Sequence, residues 1–249
     1  VSDLPTAVQK SKLDAITGWL MPQAGRPPWR LAVLALLLCI PLVLFNVSPG
    51  PDATAFYSPM IRELGDGNFA RGFHPMIPPL HMLAAAPFAA MGLDAFMASK
   101  LAASLFFALT IFPLFGIVRR FWDAQTAVWA CLLFLCCSRL LRLAGAGLLD
   151  CGKTFLLALT LYALCRLWRE RTAAIFMLLG LGAGGLALIR GEGVLFSALA
   201  FGCATVMLFW QRRVWREGLG LLAAMFLAGA MVVPWMLWEM RATGYPVTD

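Results

Sequence analysis

Residues 101–118 read LAASLFFALTIFPLFGIV and contain no charged side chain. An apolar run of this length is long enough for a membrane-crossing helix, because about 20 residues span the hydrocarbon core of a bilayer. The whole chain has the same character, since 61% of its 249 residues are hydrophobic and only 13% are charged. Soluble domains carry roughly 25% charged residues. The composition therefore predicts a membrane protein and excludes a soluble globule or a disordered chain.

Six further uncharged runs flank this segment. They are Leu31–Pro51, Ala124–Ser138, Thr154–Cys165 with its apolar flanks, Thr172–Ile189, Gly193–Gln211 and Gly218–Trp238. The predicted fold is all-α: a polytopic membrane helix bundle with seven transmembrane helices, formed by residues 31–249. The Thr172–Ile189 run contains glycines at positions 180, 182, 184 and 185, which would let neighbouring helices approach closely.

A shorter apolar segment, Pro78–Gly92, decides the topology. It opens with Pro78-Pro79 and carries Pro87 in its middle, and proline interrupts a helix by removing a backbone donor. We therefore predict an interfacial helix within an outer loop over 48–92 rather than an eighth span. The same loop contains Ser58-Pro59, which predicts a second interfacial helix with Ser58 as its N-cap.

The distribution of basic residues predicts the orientation. With Pro78–Gly92 outside the bilayer, 12 of the 20 Lys and Arg residues fall on one side, in segment 1–30 and three short turns. Because Lys and Arg concentrate in cytoplasmic loops, we predict an N-terminus on the inner side and a C-terminus on the outer side of the membrane. Residues Leu4–Leu20 would form a weakly amphipathic surface helix. The basic residues form no continuous patch, which argues against nucleic acid as a partner.

Ionisable side chains on the outer side gather at three places, each just beyond a predicted span. They are Asp52, then Arg139, Arg142, Asp150 and Lys153, then Arg190-Gly191-Glu192-Gly193. Charges near a bilayer are costly and are functional-site hypotheses by default. A shielded carboxylate suits proton abstraction, Arg and Lys stabilise a departing phosphate, and glycines let the backbone approach a ligand. The combination predicts group transfer from a phosphorylated lipid.

Structural roles compete with this interpretation. Asp52 could form a salt bridge or a cap within its loop, and Asp150 could cap a helix that starts at Cys151. Arg139 and Arg142 could be snorkelling residues, and Arg190 could simply be neutralised by Glu192. His74 and His81 fit hydrogen-bonding residues better than metal ligands, although two acids could still hold a divalent cation with a phosphate. The sequence leaves metal binding open.

Short motifs follow one another in a fixed order from Leu31 to Asp249. They are Asp52 after the first span, Phe56-Tyr57 with Arg62-Glu63-Leu64 and Gly67, Pro78-Pro79-Leu80 closing at Gly92, RRFWD at Arg119–Asp123, the loop from Ser138 to Asp150, and Leu188-Ile189-Arg190-Gly191. Together they resemble the GT-C superfamily of polyprenyl-phosphate-sugar glycosyltransferases. The resemblance is to the aminoarabinose-transferase and protein-O-mannosyltransferase-like branch, of which this chain would be the seven-span module.

The resemblance implies a multi-pass inverting glycosyltransferase of the bacterial cytoplasmic membrane. It would move a sugar from a polyprenyl-phosphate donor to an acceptor on the periplasmic face. Asp52 would be the catalytic base and Asp150 the acidic residue of the second outer loop. The residues implied for the donor and its lipid phosphate are Arg190, Arg142, Lys153, His74 and Glu192.

The same resemblance leaves a second function open. Many relatives carry Asp-Lys directly before PPL, where this chain has Met76-Ile77, so His74, Arg71 or Lys153 would have to replace the missing cation. Relatives also continue into further spans, and acceptor binding could depend on such a region or on a partner chain. The alternative is a non-catalytic GT-C-like membrane subunit or lipid-binding protein.

Overall fold

The computed structural model describes residues 19–20, 27–45, 52–75, 77–212 and 214–243. Within these ranges the chain is helical and forms no β-strand beyond an isolated bridge between His74 and Ile77. This confirms the all-α prediction. The surface helix expected over Leu4–Leu20 lies outside the described residues apart from Trp19 and Leu20.

Helices follow one another from Trp29 onward. They are α1 (Trp29–Phe45), α2 (Ser58–Gly65), α3 (Phe69–Gly72), α4 (Leu80–Ala90), α5 (Ala95–Leu109), α6 (Ile111–Phe121), α7 (Ala124–Leu135), α8 (Ser138–Gly145), α9 (Asp150–Leu167), α10 (Ala173–Ile189), α11 (Gly193–Trp210) and α12 (Val214–Thr243). A π-helical turn over Ala53–Tyr57 leads directly into α2. Each predicted span therefore coincides with a helix or with a pair of helices.

The number of membrane spans agrees with the prediction only in part. Three segments of the described chain are long and apolar enough to cross a membrane: Ala95–Phe121, Gly193–Trp210 and Glu217–Ala242. Helices α7 and α8 would provide a fourth if counted together, but they meet at an angle of 57°. The described part of this membrane protein is therefore all-helical, with three, or up to four, helices of spanning length and composition.

The other predicted spans differ from ideal spans for identifiable reasons. Helices α1 and α10 are apolar but have 17 residues each, and α1 contains Pro41. Helix α9 has 18 residues but carries charges at Asp150, Lys153 and Arg166. An apolar run in a sequence thus predicts a helix, but it does not determine whether that helix is long enough to cross the hydrocarbon core of the membrane.

The outer-loop segment Pro78–Gly92 forms a short helix, as predicted. Helix α4 has 11 residues, about 16 Å at 1.5 Å per residue and roughly half the thickness of the hydrocarbon core. It ends at Ala90, and the chain turns at Gly92, whose φ of +90° is a left-handed conformation that favours glycine. Helix α4 packs against α2 and α5 and so covers one side of the bundle.

The start of α2 corrects the prediction for Ser58. The chain is already helical from Asp52, and Tyr57 is the residue that precedes α2. The Ser58 hydroxyl donates to the Ala53 carbonyl at 2.8 Å instead of capping the helix. The Ser58 backbone N–H also donates to the Ala53 carbonyl, so the hydroxyl adds a second hydrogen bond to the same acceptor at the end of the π-helical turn.

The glycines of α10 bring three helices together, which confirms the predicted close approach. Gly180 and Gly184 face α12, where an added Cβ at Gly180 would lie 2.7 Å from the Ala224 carbonyl oxygen. Gly182 and Gly185 face α9, where a Cβ at Gly182 would lie 2.5 Å from Thr160 Oγ1. Helix α10 is therefore the central helix of the second half of the bundle.

Charged side chains sit at the two ends of this bundle. At one end Glu170 pairs with Arg120 and Arg166, and Arg171 donates to the Gln211 side chain. At the other end the start of α9 meets the turn between α10 and α11. These two ends match the two sides that the sequence predicts.

Candidate functional site

A cavity of about 530 Å³ lies where the outer loop, the start of α9 and the α10–α11 turn meet. Its polar lining residues are Asp52, Tyr57, Arg190 and Glu192, and its apolar lining residues include Phe56, Ile77, Pro78, Leu149 and Ile189. Small-molecule sites are typically concave, mostly apolar and equipped with a few convergent polar groups. The structure thus brings the predicted site residue Asp52 together with Arg190 and Glu192, which are far from it in sequence.

Arg190 is the central cation of this site. Helix α10 ends before it, because Arg190 has extended backbone angles (φ −159°, ψ 141°). Its guanidinium contacts two carboxylates: Nη1 lies 3.2 Å from Asp150 Oδ1, and Nε lies 3.5 Å from Glu192 Oε1. A planar guanidinium suits this double contact, since its donors diverge in a fixed fork.

Lys153 extends the ion-pair network from the next turn of α9. Its ammonium group pairs with Glu192 and lies 5.5 Å from the centroid of the Phe196 ring. The hydrogen bond from Lys153, with Arg190 nearby, holds the pKa of Glu192 below its usual value. Two cations and two carboxylates therefore form one chain, Asp150–Arg190–Glu192–Lys153.

The structure decides the alternative proposed for Asp150. Helix α9 begins at Asp150 itself, the preceding Leu149 occupies the N-cap position, and no side chain caps this end. The Asp150 carboxylate contacts Arg190, so the capping interpretation is wrong. The pairing of Arg190 with Glu192 is present, but Arg190 contacts Asp150 at the shorter distance.

The two glycines of this turn differ: Gly191 lines the cavity, whereas Gly193 is required for packing and does not make room for a ligand. An added Cβ at Gly193 would lie only 1.8 Å from the carbonyl oxygen of Leu186 in α10. The Gly193 amide also donates to the Arg190 carbonyl at 2.8 Å. Gly193 is therefore required by a tight reversal of the chain, which holds Arg190 and Glu192 at the cavity.

Tyr57 is a site residue that the sequence did not single out. It lines the cavity, is buried, and lies close enough to Asp52 and Asp150 to feel their charges. Burial, reinforced by these carboxylates, raises the pKa of Tyr57 to about 12. The phenol therefore stays protonated and can donate a hydrogen bond to an anionic ligand. The Phe56-Tyr57 motif was its only sequence signal.

Four of the predicted site residues lie outside the cavity lining: Asp150 and Lys153, which ion pairs connect to Glu192 and Arg190, and His74 and Arg142. The His74 ring packs edge-to-face against Phe56, with centroids 5.6 Å apart, and so sits behind one cavity wall. Arg142 is exposed on α8, in the helix before Asp150. Among the residues that the structure describes, no three His, Cys, Asp or Glu side chains are arranged to hold a metal ion.

Residues 74–238, about two thirds of the chain, match the family model of the dolichyl-phosphate-mannose-protein mannosyltransferases. The chain belongs to this family. No curated protein and no solved structure matches the chain significantly.

Membership of the mannosyltransferase family confirms the resemblance to GT-C glycosyltransferases. It indicates a membrane glycosyltransferase that takes its sugar from a lipid-linked donor. The matched region includes Asp150, Lys153, Arg190 and Glu192 but begins after Asp52. The cation network thus lies within the region that defines the family, while Asp52 is supplied by the preceding segment.

His81, also within the matched region, ties this site to the outer loop. It is fully buried in α4, and its Nε2 lies 2.9 Å from Ser99 Oγ and 3.2 Å from the Gly147 carbonyl oxygen. The Ser99 hydroxyl donates to the same carbonyl at 2.7 Å. Gly147, at φ +69°, belongs to the turn that leads into Asp150. His81 and Ser99 therefore fix this turn relative to α4 and α5.

Substituting His81 should change how stability depends on pH. Burial lowers the pKa of His81 to about 4, whereas an unfolded histidine titrates near 6.5. Between these values the unfolded chain binds more protons, so the free energy of unfolding falls as the pH falls, by about 2 kcal/mol at pH 5. His81→Gln keeps an amide donor without titrating, and its melting temperature in detergent should drop less than that of wild type from pH 7 to pH 5.

His74→Gln is the matched control, because the chain contains only two histidines. This variant should retain the wild-type loss of melting temperature between pH 7 and pH 5. An equal loss in His81→Gln and wild type would show that another group causes the pH dependence.

Proposed function

We propose that this chain is an inverting glycosyltransferase that transfers a sugar from a polyprenyl-phosphate donor to an acceptor on the periplasmic face of a bacterial inner membrane. The observation that carries the proposal is the shared cavity of Asp52 and Arg190. A carboxylate and a guanidinium on one cavity are the two groups that a single displacement from a lipid phosphate requires.

The reaction follows from this arrangement. The acceptor hydroxyl oxygen attacks the anomeric carbon of the sugar on the face opposite the phosphate, and Asp52 accepts the hydroxyl proton. The bond between the anomeric carbon and the phosphate oxygen breaks, and its electron pair stays on that oxygen. The leaving polyprenyl phosphate gains negative charge, which Arg190 and Lys153 stabilise. One displacement inverts the anomeric configuration.

The ion pairs at the site imply an exchange of partners when the donor binds. Arg190 is held by Asp150 and Glu192, yet 47% of its side chain is exposed and accessible to a phosphate. The leaving phosphate carries more negative charge than one carboxylate and accepts hydrogen bonds at several oxygens. We propose that Arg190 and Lys153 turn from the carboxylates toward this group, while Tyr57 donates from the opposite wall.

The proposed topology keeps seven spans, with α5 and α6 as one. Two features support it. The cation-rich end that contains Arg120 and Arg166 also carries exposed tryptophans at 122, 168 and 210, and aromatic belts mark membrane interfaces. The opposite end contains the cavity and the short helix α4. We therefore place the cation-rich end in the cytoplasm and the cavity at the periplasmic face.

A non-catalytic membrane subunit that binds lipid is the second candidate. It is favoured by one observation: both cations of the site are already paired with carboxylates. Such a protein would bind the donor without breaking its glycosidic bond. Donor binding and turnover therefore have to be measured separately.

The test uses the full chain in proteoliposomes with β-linked polyprenyl-phosphate sugars that carry a labelled sugar. We expect release of polyprenyl phosphate and, in the product, an α-linkage by NMR. The same vesicles test the topology, provided that they turn over donor added from outside. In them, the cysteine of Asp66→Cys should react with a maleimide that does not cross the membrane, and the cysteine of Trp122→Cys should not react. Binding without release would favour the non-catalytic subunit, and a β-linked product would contradict a single displacement.

A further inference from the structure

A second cavity, of about 770 Å³, lies at the opposite end of the bundle from Asp52, between α6, α9 and α10. Its apolar wall runs along the helices and includes Leu109, Phe112, Phe155 and Leu159. Phe112, Phe155 and Leu159 stay partly exposed. The cavity is thus a mostly apolar groove, large enough for a small-molecule ligand.

The helix ends beside this groove carry an excess of positive charge. Arg119, Arg120 and Arg166 all line it, together with a single carboxylate, Glu170. Glu170 accepts from both Arg120 and Arg166, and Arg166 also donates to the Tyr162 hydroxyl at 2.9 Å. Three guanidinium groups therefore share one carboxylate, which leaves a net charge of +2 at the polar end of the groove.

One of these guanidiniums keeps a donor without a partner. Arg120 Nη2 is buried and forms no hydrogen bond within the described part of the chain. A buried donor without an acceptor is costly, so an acceptor is expected to reach it. An anionic oxygen at the polar end of the groove would offset the excess charge, and a rotation of the partly exposed Arg120 side chain would let Nη2 donate to it.

We propose that this groove binds one anionic phospholipid from the membrane leaflet at this end. The phosphate lies between Arg120, Arg166 and Arg119, and an acyl chain lies along the apolar wall. A free phosphate would leave that wall uncovered, whereas basic pockets between transmembrane helices are suited to anionic headgroups. The site is distinct from the donor cavity, since Asp150 and Arg166 are separated by about 24 Å along α9.

The test titrates the detergent-purified full chain with dioleoylphosphatidylglycerol and counts bound lipids by native mass spectrometry. We expect one high-affinity molecule per chain. Dioleoylphosphatidylcholine should bind at least about tenfold more weakly, and glycerol 3-phosphate should not bind in this range. Equal affinities for the two lipids, or tight binding of glycerol 3-phosphate, would overturn the proposal.

Three variants locate the lipid. Arg120→Gln should weaken phosphatidylglycerol binding about fivefold, the effect expected for one arginine near an anionic headgroup. Leu159→Trp fills the apolar wall without changing the charge and should weaken binding to a similar extent. Arg169→Gln removes an exposed arginine at the same end that does not line the groove, and its affinity should equal that of wild type.

The variants also define the outcomes that contradict the site. If Arg120→Gln and Leu159→Trp both bind as wild type does, the groove is not the binding site. If Arg120→Gln weakens binding and Leu159→Trp does not, the headgroup is held without an acyl chain along the apolar wall. If Arg169→Gln weakens binding as much as Arg120→Gln, the lipid is held by surface charge outside the groove. Each of these results would overturn the proposal, and melting temperatures near that of wild type show that each variant is folded.

Discussion

Asp52→Asn is expected to reduce turnover of a polyprenyl-phosphate sugar by about a thousandfold, within the range measured for loss of a general base. The amide keeps the size and polarity of the side chain but cannot accept the acceptor's proton. Donor affinity should change by less than about threefold, because the proposed phosphate ligands are Arg190, which lines the cavity, and Lys153, which pairs with Glu192 beside it. Single-turnover release of polyprenyl phosphate and a separate binding titration distinguish the two effects.

Asp66→Asn is the matched control for this substitution. Asp66 is an exposed carboxylate just beyond α2 in the same outer segment, and it does not line the cavity. Its turnover should equal that of wild type. Turnover of Asp52→Asn within tenfold of wild type would exclude Asp52 as the base. A loss of donor binding in Asp52→Asn would make it a donor-positioning residue instead.

The sequence predicted the helices well, because helix formation depends largely on local composition. Uncharged runs located the helices, although only three or four of them have spanning length and composition, and the prolines of Pro78–Gly92 correctly indicated a short helix. The glycines of α10 correctly predicted close packing. Helix bends were not predicted: the 57° angle between α7 and α8 depends on how the two helices pack, which periodicity does not encode.

The sequence predicted several of the residues at the site, but it did not predict which of them contact one another. Charges beside apolar runs identified Asp52, Asp150 and Arg190, but the Asp150–Arg190 pair joins residues 40 positions apart. An acidic residue at the start of a predicted helix, such as Asp150, is interpreted as a helix cap as long as its contact with a distant residue, here Arg190, is unknown. Tyr57 and His81 were missed as site residues for a related reason, since burial gives each its role and neither has a charge at neutral pH that marks it in a sequence.

Arg190→Gln is expected to lower kcat/KM for donor turnover by about a hundredfold, comparable to removal of one donor that stabilises transition-state charge. Two effects combine in this loss. The leaving phosphate loses a charge-assisted partner, and the carboxylates of Asp150 and Glu192 lose the guanidinium that both contact. Arg190→Lys restores the charge but not the fork of donors, so its kcat/KM should lie between those of Arg190→Gln and wild type.

Adding Glu192→Gln to Arg190→Gln separates these two effects. If unpaired carboxylates repel the phosphate, the double variant should have a higher kcat/KM than Arg190→Gln, because one negative charge is removed and Lys153 is released from its pair. If only a direct contact is lost, the second substitution should give no recovery. Arg139→Gln removes an exposed arginine of α8 and should leave kcat/KM unchanged. A kcat/KM for Arg190→Gln within threefold of wild type would show that the phosphate leaves without Arg190, which would place its partner among Lys153 and Tyr57.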